Sequence, residues 1–209
     1  MVKALLDRIY SGIQQAHGDI DSTGPGGSPV YNTFLGGINP SKVRILFSEV
    51  ATGSNVSISG MPAKPPTIMC VYAKYREVIP REYAHCTRPN SGTAAMWEDK
   101  TQFIFLCPYF WTFPVYPSVD SCPEVLLGGT RLSKSSIVET QMSVLFHELL
   151  HLYMGNRILE PEAYEINACT SLHPDEAAIN VSNYGYYLGC MCSTLTVSLS
   201  SMIANHITP

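Results

Sequence analysis

The sequence His147-Glu148-Leu149-Leu150-His151 has the residue types and the spacing required for metal-dependent hydrolysis. Residues four apart lie on one face of a helix, so the imidazoles of His147 and His151 can converge on one Zn²⁺. Glu148 lies beside them and can accept a proton from a water molecule at the metal, which then attacks a polarised carbonyl group. The pattern therefore predicts one zinc ion per chain, with Glu148 as the general base.

The two histidines leave the predicted site one ligand short, because a catalytic zinc normally takes three protein ligands and a water. The sequence has no third histidine of the long H-E-x-x-H-x-x-G-x-x-H type, so we expect a carboxylate ligand. Glu160 and Glu162 lie just beyond Gly155, where a turn can fold the chain back over the metal. Further candidates downstream are Glu165, His173 and Asp175.

The zinc motif is expected in the middle of a helix that begins at Ser136, with Glu139 as its capping-box partner, and runs to about Met154 before a glycine stop. Its many apolar residues make this helix a core element, as a ligand-bearing helix must be to hold its geometry. Other helices are predicted at about 2–16, 164–172, 174–189 and 193–205, and strands at 43–47, 56–59, 67–72 and 102–106. Strands followed by helices predict an α+β fold.

Length and charge limit the classes of function. At 209 residues the chain is predicted to form a single domain over 1–209, with a strand-rich part at about 30–125 and a helical, zinc-binding part at about 135–206. Its 13 basic and 17 acidic residues give a net charge of −4, which argues against nucleic acid as a partner. The sequence has no run of about 18 apolar residues, so no membrane-spanning helix is expected.

The composition and the N-terminus predict the compartment. Seven cysteines, few lysines and many tyrosine, proline, glycine and serine residues favour a secreted protein. The first residues do not form a signal peptide, because Lys3, Asp7 and Arg8 interrupt the apolar run. We therefore expect the mature form of a secreted protein, with a cytoplasmic protein as the alternative.

From His147 to Leu188 the chain resembles the aspzincin metallopeptidases, the family of deuterolysin and the fungal lysine-specific metalloendopeptidases. That family follows H-E-x-x-H with a D-x-x-Y-G segment and then with a stretch of the type N-P-D-x-A-x-x-N-A-D-N-x-x-Y-F. The corresponding parts here are residues 160–164, EPEAY, and residues 173–187, HPDEAAINVSNYGYY. The resemblance implies a zincin-like α+β fold, in which a small sheet precedes a helical half carrying the zinc helix, and a zinc-dependent endopeptidase activity.

The resemblance also implies roles for single residues near the zinc. The family's third ligand is an Asp, and Glu160 has the spacing of this Asp from the second histidine, so Glu160 is favoured and Glu162 is the alternative. Tyr164 matches the family's tyrosine, whose implied role is to donate a hydrogen bond to the developing oxyanion. Asn180 and Asn183 match asparagines whose implied role is to support the zinc-binding helices.

The resemblance further implies where the substrate binds. In the lysine-specific members, two acids after the zinc ligands hold the ammonium group of the substrate lysine, and the matching positions here are Ser182 and Gly185. An unpaired ammonium group out of water costs on the order of several kcal/mol, so no lysine preference is predicted. Tyr184 and its neighbours Tyr186 and Tyr187 are expected either to make this substrate pocket more apolar or to belong to the core.

The family also suggests how the cysteines pair. Cys86 and Cys107 have the spacing of a bridge in the family's sheet region. Cys122 is expected to reach either Cys190 or Cys192, and the sequence leaves this connectivity open.

The leading prediction is a monomeric zinc-dependent metalloendopeptidase that cleaves a peptide or protein substrate through a zinc-bound water activated by Glu148. One alternative is a zinc-dependent amide hydrolase that acts on a small molecule. Another is a non-catalytic protein that keeps the motif as a binding or effector module. Cleavage of an unfolded protein such as casein distinguishes the leading prediction from the first alternative.

Overall fold

The computed structural model of the chain describes residues 1–23, 27–57, 62–90, 92–98, 101–115, 140–155 and 157–191. Its helices are α1 (Val2–Thr23), α2 (Pro29–Leu35), α3 (Pro40–Thr52), α4 (Pro80–Thr87), α5 (Gln141–Met154), α6 (Ile166–Cys169), α7 (Pro174–Ala177) and α8 (181–191). Its strands are β1 (Thr67–Cys70), β2 (Ala95–Trp97) and β3 (Phe103–Leu106). This confirms the predicted α+β class. Within these ranges, every helix is too short or too polar to cross a membrane.

α1 is an amphipathic helix that supports the helices behind the zinc motif. Leu5, Ile9 and Ile13 are buried at a spacing of four residues, and Ile20 extends the same apolar stripe. The helix contacts both α3 and α5. The helix predicted at about 2–16 is therefore confirmed, and it continues to Thr23.

The segment 43–47 lies in α3, so the strand predicted there is wrong. The side chain of Asn39 caps the first turn of α3, and Gly53 ends the helix in the left-handed conformation. The buried side chains of α3 follow helical spacing and are Val43, Phe47 and Val50. The β-branched and aromatic residues that suggested a strand thus form the core-facing stripe of a capped helix.

The three strands form a small sheet in the order β1-β3-β2. β1 runs parallel to β3, and β2 runs antiparallel to it. The strands predicted at 67–72 and 102–106 are confirmed as β1 and β3, whereas the sequence pattern predicted neither β2 nor α4. Of the strand predicted at 56–59, the described part makes a single antiparallel bridge from Val56 to Lys64. Within the described ranges β2 lies at one edge of the sheet and contacts α5.

β3 separates two apolar clusters, because successive side chains of a strand point to opposite faces of the sheet. Ile104 and Leu106 belong to the main core, which also contains the apolar faces of α1, α3 and α5. Phe105 and Cys107 belong to a smaller cluster behind the sheet, together with a residue of α4. The main core is therefore on the side of the sheet that faces the zinc motif.

Aromatic rings join the helices of the main core. The ring of Phe47 in α3 meets that of Phe146 in α5 edge-on and stacks on that of Tyr187 in α8. The Tyr187 hydroxyl donates a hydrogen bond to the Asp19 carboxylate at 2.8 Å and lies 3.3 Å from the carbonyl oxygen of Ala16. α8 is thereby attached to both α1 and α3, and α3 in turn packs on the zinc helix α5.

The helices after the zinc motif are shorter than predicted. The helix expected at 164–172 is the four-residue α6, and the helix expected at 174–189 is divided by residues 178–180 into α7 and α8. The helix expected at 193–205 lies outside the described residues.

Cys86 and Cys107 form a disulfide bond, which confirms that prediction. Cys190 is also disulfide-bonded. Cys122 and Cys192 lie outside the described residues, so the pairing of Cys122 with Cys190 or Cys192 stays a prediction.

Candidate metal centre

α5 carries both histidines and begins at a reciprocal cap. The backbone N–H of Ser143 donates to the Thr140 hydroxyl, and the backbone N–H of Thr140 donates to the Ser143 hydroxyl. The helix therefore begins at Gln141, which corrects the start predicted at Ser136. Ser136 and its expected partner Glu139 lie outside the described residues.

Burial fixes the orientation of α5. Its apolar side chains, Leu145, Phe146 and Leu150 among them, are buried in the main core. The glycine predicted as its stop, Gly155, follows the last turn with a positive φ of 58°. The ring of His151 stacks on the indole of Trp97 in β2, with ring centroids 5.3 Å apart. The core and the edge strand together hold the two histidines in place.

Three side chains converge in front of α5. The Nε2 atoms of His147 and His151 are 2.9 Å apart. Glu162 Oε2 lies 3.6 Å from the first of these nitrogens and 3.4 Å from the second. The Glu162 side chain is only 6% exposed. These three residues form a group whose ligand atoms lie within 4.8 Å of one another.

The structure brings Glu162, the alternative ligand, to the histidines and leaves Glu160, the favoured one, outside this group. Glu160 instead lines a neighbouring cleft together with Trp97 and Ile158. The reason is a contact that spacing cannot show: both the backbone N–H and the hydroxyl of Ser182 donate to Glu162 Oε1, at 3.0 and 3.1 Å. Of the other acids and the histidine considered as ligands, none is in the group.

The donor set fits zinc, since two imidazole nitrogens and a carboxylate oxygen are ligands that catalytic zinc takes. Ligands at about 2.0–2.2 Å from a tetrahedral zinc are separated by about 3.3–3.6 Å. The distances from Glu162 to the two histidines lie in this range, and the distance between the histidines is shorter.

The protonation states also fit a cation. Burial lowers the pKa of His147 to about 4, although the Glu162 carboxylate opposes this effect. Burial alone would raise the pKa of Glu162, but the hydrogen bond from His151 and the charges of the two histidines outweigh it, so this pKa is lowered. At neutral pH the centre therefore offers an uncharged imidazole and an ionised carboxylate.

Glu148 is next to the metal group and is itself only 8% exposed. Burial raises the pKa of Glu148 to about 7, while His151 and the backbone N–H of Trp97 favour its ionised form. Its Oε2 atom has no hydrogen-bond partner among the residues that the structure describes. A buried carboxylate with a pKa near neutrality is suited to accept a proton from a reacting water.

Tyr164 also lies beside the group formed by His147, His151 and Glu162, as its predicted role requires. Its ring centroid is 5.9 Å from that of His147. Burial of the hydroxyl and the charge of Glu162 raise the pKa of Tyr164 to about 12, so the hydroxyl keeps its proton at neutral pH. The residue as a whole is 61% exposed, which leaves it open to a substrate.

The three residues predicted to bind the substrate lie in three different environments. Ser182 is buried against Glu162. Tyr184 is a core residue: its ring lies 6.3 Å from that of Phe47, and its hydroxyl donates to the carbonyl of Ala178. Gly185 lies on α8, with open space where a side chain would be. The interpretation of Tyr184 as core is therefore the one that the structure supports.

Two features beside the centre have no counterpart in the sequence motif. One is Trp97, which stacks on His151 from a three-residue strand too short to show periodicity. The other is a cleft of about 760 Å³ between the end of β2 and residues 158–160. Its walls include three acids, Glu82, Glu98 and Glu160. Arg81 also lines it and forms an ion pair with Glu98.

The fold of the chain is similar to that of a zinc peptidase from Grifola frondosa, with a TM-score of 0.51 and 17% sequence identity. The likeness covers 90% of this chain and 93% of the other. No protein-family model matches the sequence, and no curated protein matches it. At this identity the likeness shows a common fold, which agrees with the fold that the motifs imply.

Proposed function

We propose that this protein is a zinc-dependent metalloendopeptidase in which His147, His151 and Glu162 hold one zinc ion. The observation that carries the proposal is the convergence of these three side chains in front of a buried helix, with Glu148 beside them. The fold likeness to a zinc peptidase supports the same activity.

Each residue of the centre has a defined part in peptide hydrolysis. Zinc bound there supplies a Lewis acid that polarises a carbonyl group and lowers the pKa of a coordinated water. Glu148 accepts the proton of the attacking water and passes it to the leaving amine. The Tyr164 hydroxyl donates a hydrogen bond to the oxygen on which negative charge develops. Trp97 holds the His151 ring against rotation.

The cleft favours a peptide as the substrate over a small amide. It lies along residues 96–98, at the end of β2, which is an edge strand within the described part of the chain. An edge strand has unpaired backbone groups, and an extended peptide can pair with them. We propose that the protein acts on peptides or proteins as a monomer.

We further propose that cleavage does not require lysine. Ser182, which stands where a family acid would hold the substrate ammonium, is buried against Glu162, and Gly185 has no side chain. Cut sites concentrated at the amino side of lysine would refute this and would indicate that Glu82 or Glu160 in the cleft supplies the charge. An extracellular location is also proposed, supported by the Cys86–Cys107 disulfide.

The test is metal analysis of the purified protein combined with digestion of casein and of a peptide library. We expect about one zinc per chain, cleavage that a chelator abolishes, and restoration by added zinc. Hydrolysis of small amides without casein cleavage would favour the small-molecule alternative. Zinc binding with no hydrolysis of either would favour the non-catalytic alternative.

A further inference from the structure

The two oxygens of the Glu162 carboxylate have different partners. Oε2 faces the histidines, 3.4 Å from His151 Nε2 and 3.6 Å from His147 Nε2. Oε1 accepts two hydrogen bonds from Ser182, one from the backbone N–H at 3.0 Å and one from the hydroxyl at 3.1 Å. The carboxylate is therefore held by one oxygen while the other points to the metal group.

The location of Ser182 explains why it can hold a carboxylate. It is the second residue of α8, where backbone N–H groups have no partner within the helix. The positive end of the helix dipole favours an anion at this place. Ser182 and the Glu162 side chain are both more than nine-tenths buried, so the hydrogen bonds are shielded from competing water.

Asn180, which directly precedes α8, and Tyr186 within it also fix the backbone that follows Glu162. The Asn180 side-chain amide accepts a hydrogen bond from the N–H of Ala163 at 2.9 Å and donates one to its carbonyl at 3.0 Å. The hydroxyl of Tyr186 donates to the carbonyl of Tyr164 at 2.6 Å. These contacts fix the backbone on the C-terminal side of Glu162. The carboxylate can still rotate, and the hydrogen bonds from Ser182 restrict that rotation.

We propose that Ser182 is a positioning residue that presents Oε2 of Glu162 to the zinc. This inference rests on the proposed function, because it assumes that the three converging side chains hold the metal. It also assigns to Ser182 a role different from substrate binding: the side chain orients a ligand and does not contact the peptide. Partners that orient metal ligands typically contribute about 10- to 100-fold to metal affinity.

The test compares zinc dissociation constants of the full chain, measured by competition with a chromophoric chelator, for the wild type and for four variants. Ser182→Ala removes the hydroxyl and keeps the backbone N–H, and we expect zinc binding about 10- to 100-fold weaker. Ser182→Thr keeps a hydroxyl and should restore most of the affinity. Glu162→Gln reports on the ligand itself, and Ser171→Ala, at an exposed serine bonded to the Asn167 carbonyl, is the matched control.

The absorption spectrum of the Co²⁺-loaded protein gives a second readout that a general loss of stability does not change. We expect the bands of Ser182→Ala to shift relative to the wild type, with those of Ser171→Ala unchanged. Wild-type zinc affinity and an unshifted spectrum in Ser182→Ala would overturn the inference while leaving the proposed function intact. Wild-type affinity in Glu162→Gln, or a wild type that binds no zinc, would overturn both. Equal losses in Ser182→Ala and Ser182→Thr would show that the hydroxyl does not position Glu162.

Discussion

Replacing Asn180 by Ala should destabilise the protein far more than the loss of one surface side chain. Asn180 is fully buried, and its amide pairs with the N–H and the carbonyl of Ala163 and donates to Asn183 Oδ1 at 2.6 Å. The variant leaves the Ala163 N–H and Asn183 Oδ1 without these partners. The Ala163 carbonyl still accepts a hydrogen bond from the Cys169 thiol at 3.1 Å.

Asn180→Ala therefore strands one buried group, Asn183 Oδ1, and one part-buried group, the Ala163 N–H. A buried group left without a partner costs about 1–3 kcal/mol, and a part-buried one costs at most as much, so the expected loss is about 1–6 kcal/mol out of the roughly 5–15 kcal/mol by which a domain is stable. Urea denaturation with the disulfides intact and a chelator present measures the free energy of unfolding without a contribution from metal binding.

Asn32→Ala is the matched control for this prediction. Asn32 is exposed, and its amide donates one hydrogen bond to the Gly27 carbonyl at 3.3 Å. Its replacement should change the free energy of unfolding by at most about 0.5 kcal/mol. If Asn180→Ala changed the free energy of unfolding as little as the control does, the reasoning that its amide fixes the Ala163 backbone would be refuted.

Three further predictions concern the metal centre. Glu148→Gln should keep its zinc, as measured by metal analysis, and its kcat should fall by about 10²–10⁴-fold, because a carboxamide cannot accept the proton. Near-normal turnover would remove Glu148 from the mechanism. Glu162→Ala should lose zinc on dialysis while Glu160→Ala keeps it, and the reverse result would restore Glu160 as the ligand. Tyr164→Phe should lower kcat by about 10²-fold or more with little change in KM or zinc content, and an unchanged kcat would show that its hydroxyl does not contact the oxyanion.

The part of the centre that the sequence predicts is the part that lies within one helix. His147, Glu148 and His151 depend only on helical spacing, and a capped, buried helix places them as expected. Tyr164 was predicted through the family motif, and it lies next to His147. Local geometry of this kind is encoded within a few residues and does not depend on the path of the chain elsewhere.

The position of the third carboxylate depends on such a path, and spacing favoured Glu160. The structure instead brings Glu162 to the histidines, where it is held by a contact with Ser182, 20 positions away. Trp97 was missed for a similar reason, because β2 has only three residues and is defined by its pairing with β3. The strand predicted at 43–47 failed because a five-residue window contains the apolar stripe of α3 but not its caps.

The hydrogen bond between Tyr187 and Asp19 connects residues 168 positions apart. It joins α8, which orients Glu162, to the first helix of the chain, and contacts of such separation form slowly because a large loop must close first. During synthesis the N-terminal part emerges first, so the histidine helix is made well before α8 can reach its place on α1. The nascent chain therefore lacks an oriented set of ligands until α8 has been made and has packed on α1. If the proposed function is correct, proteolytic activity would appear only after this long-range contact has formed.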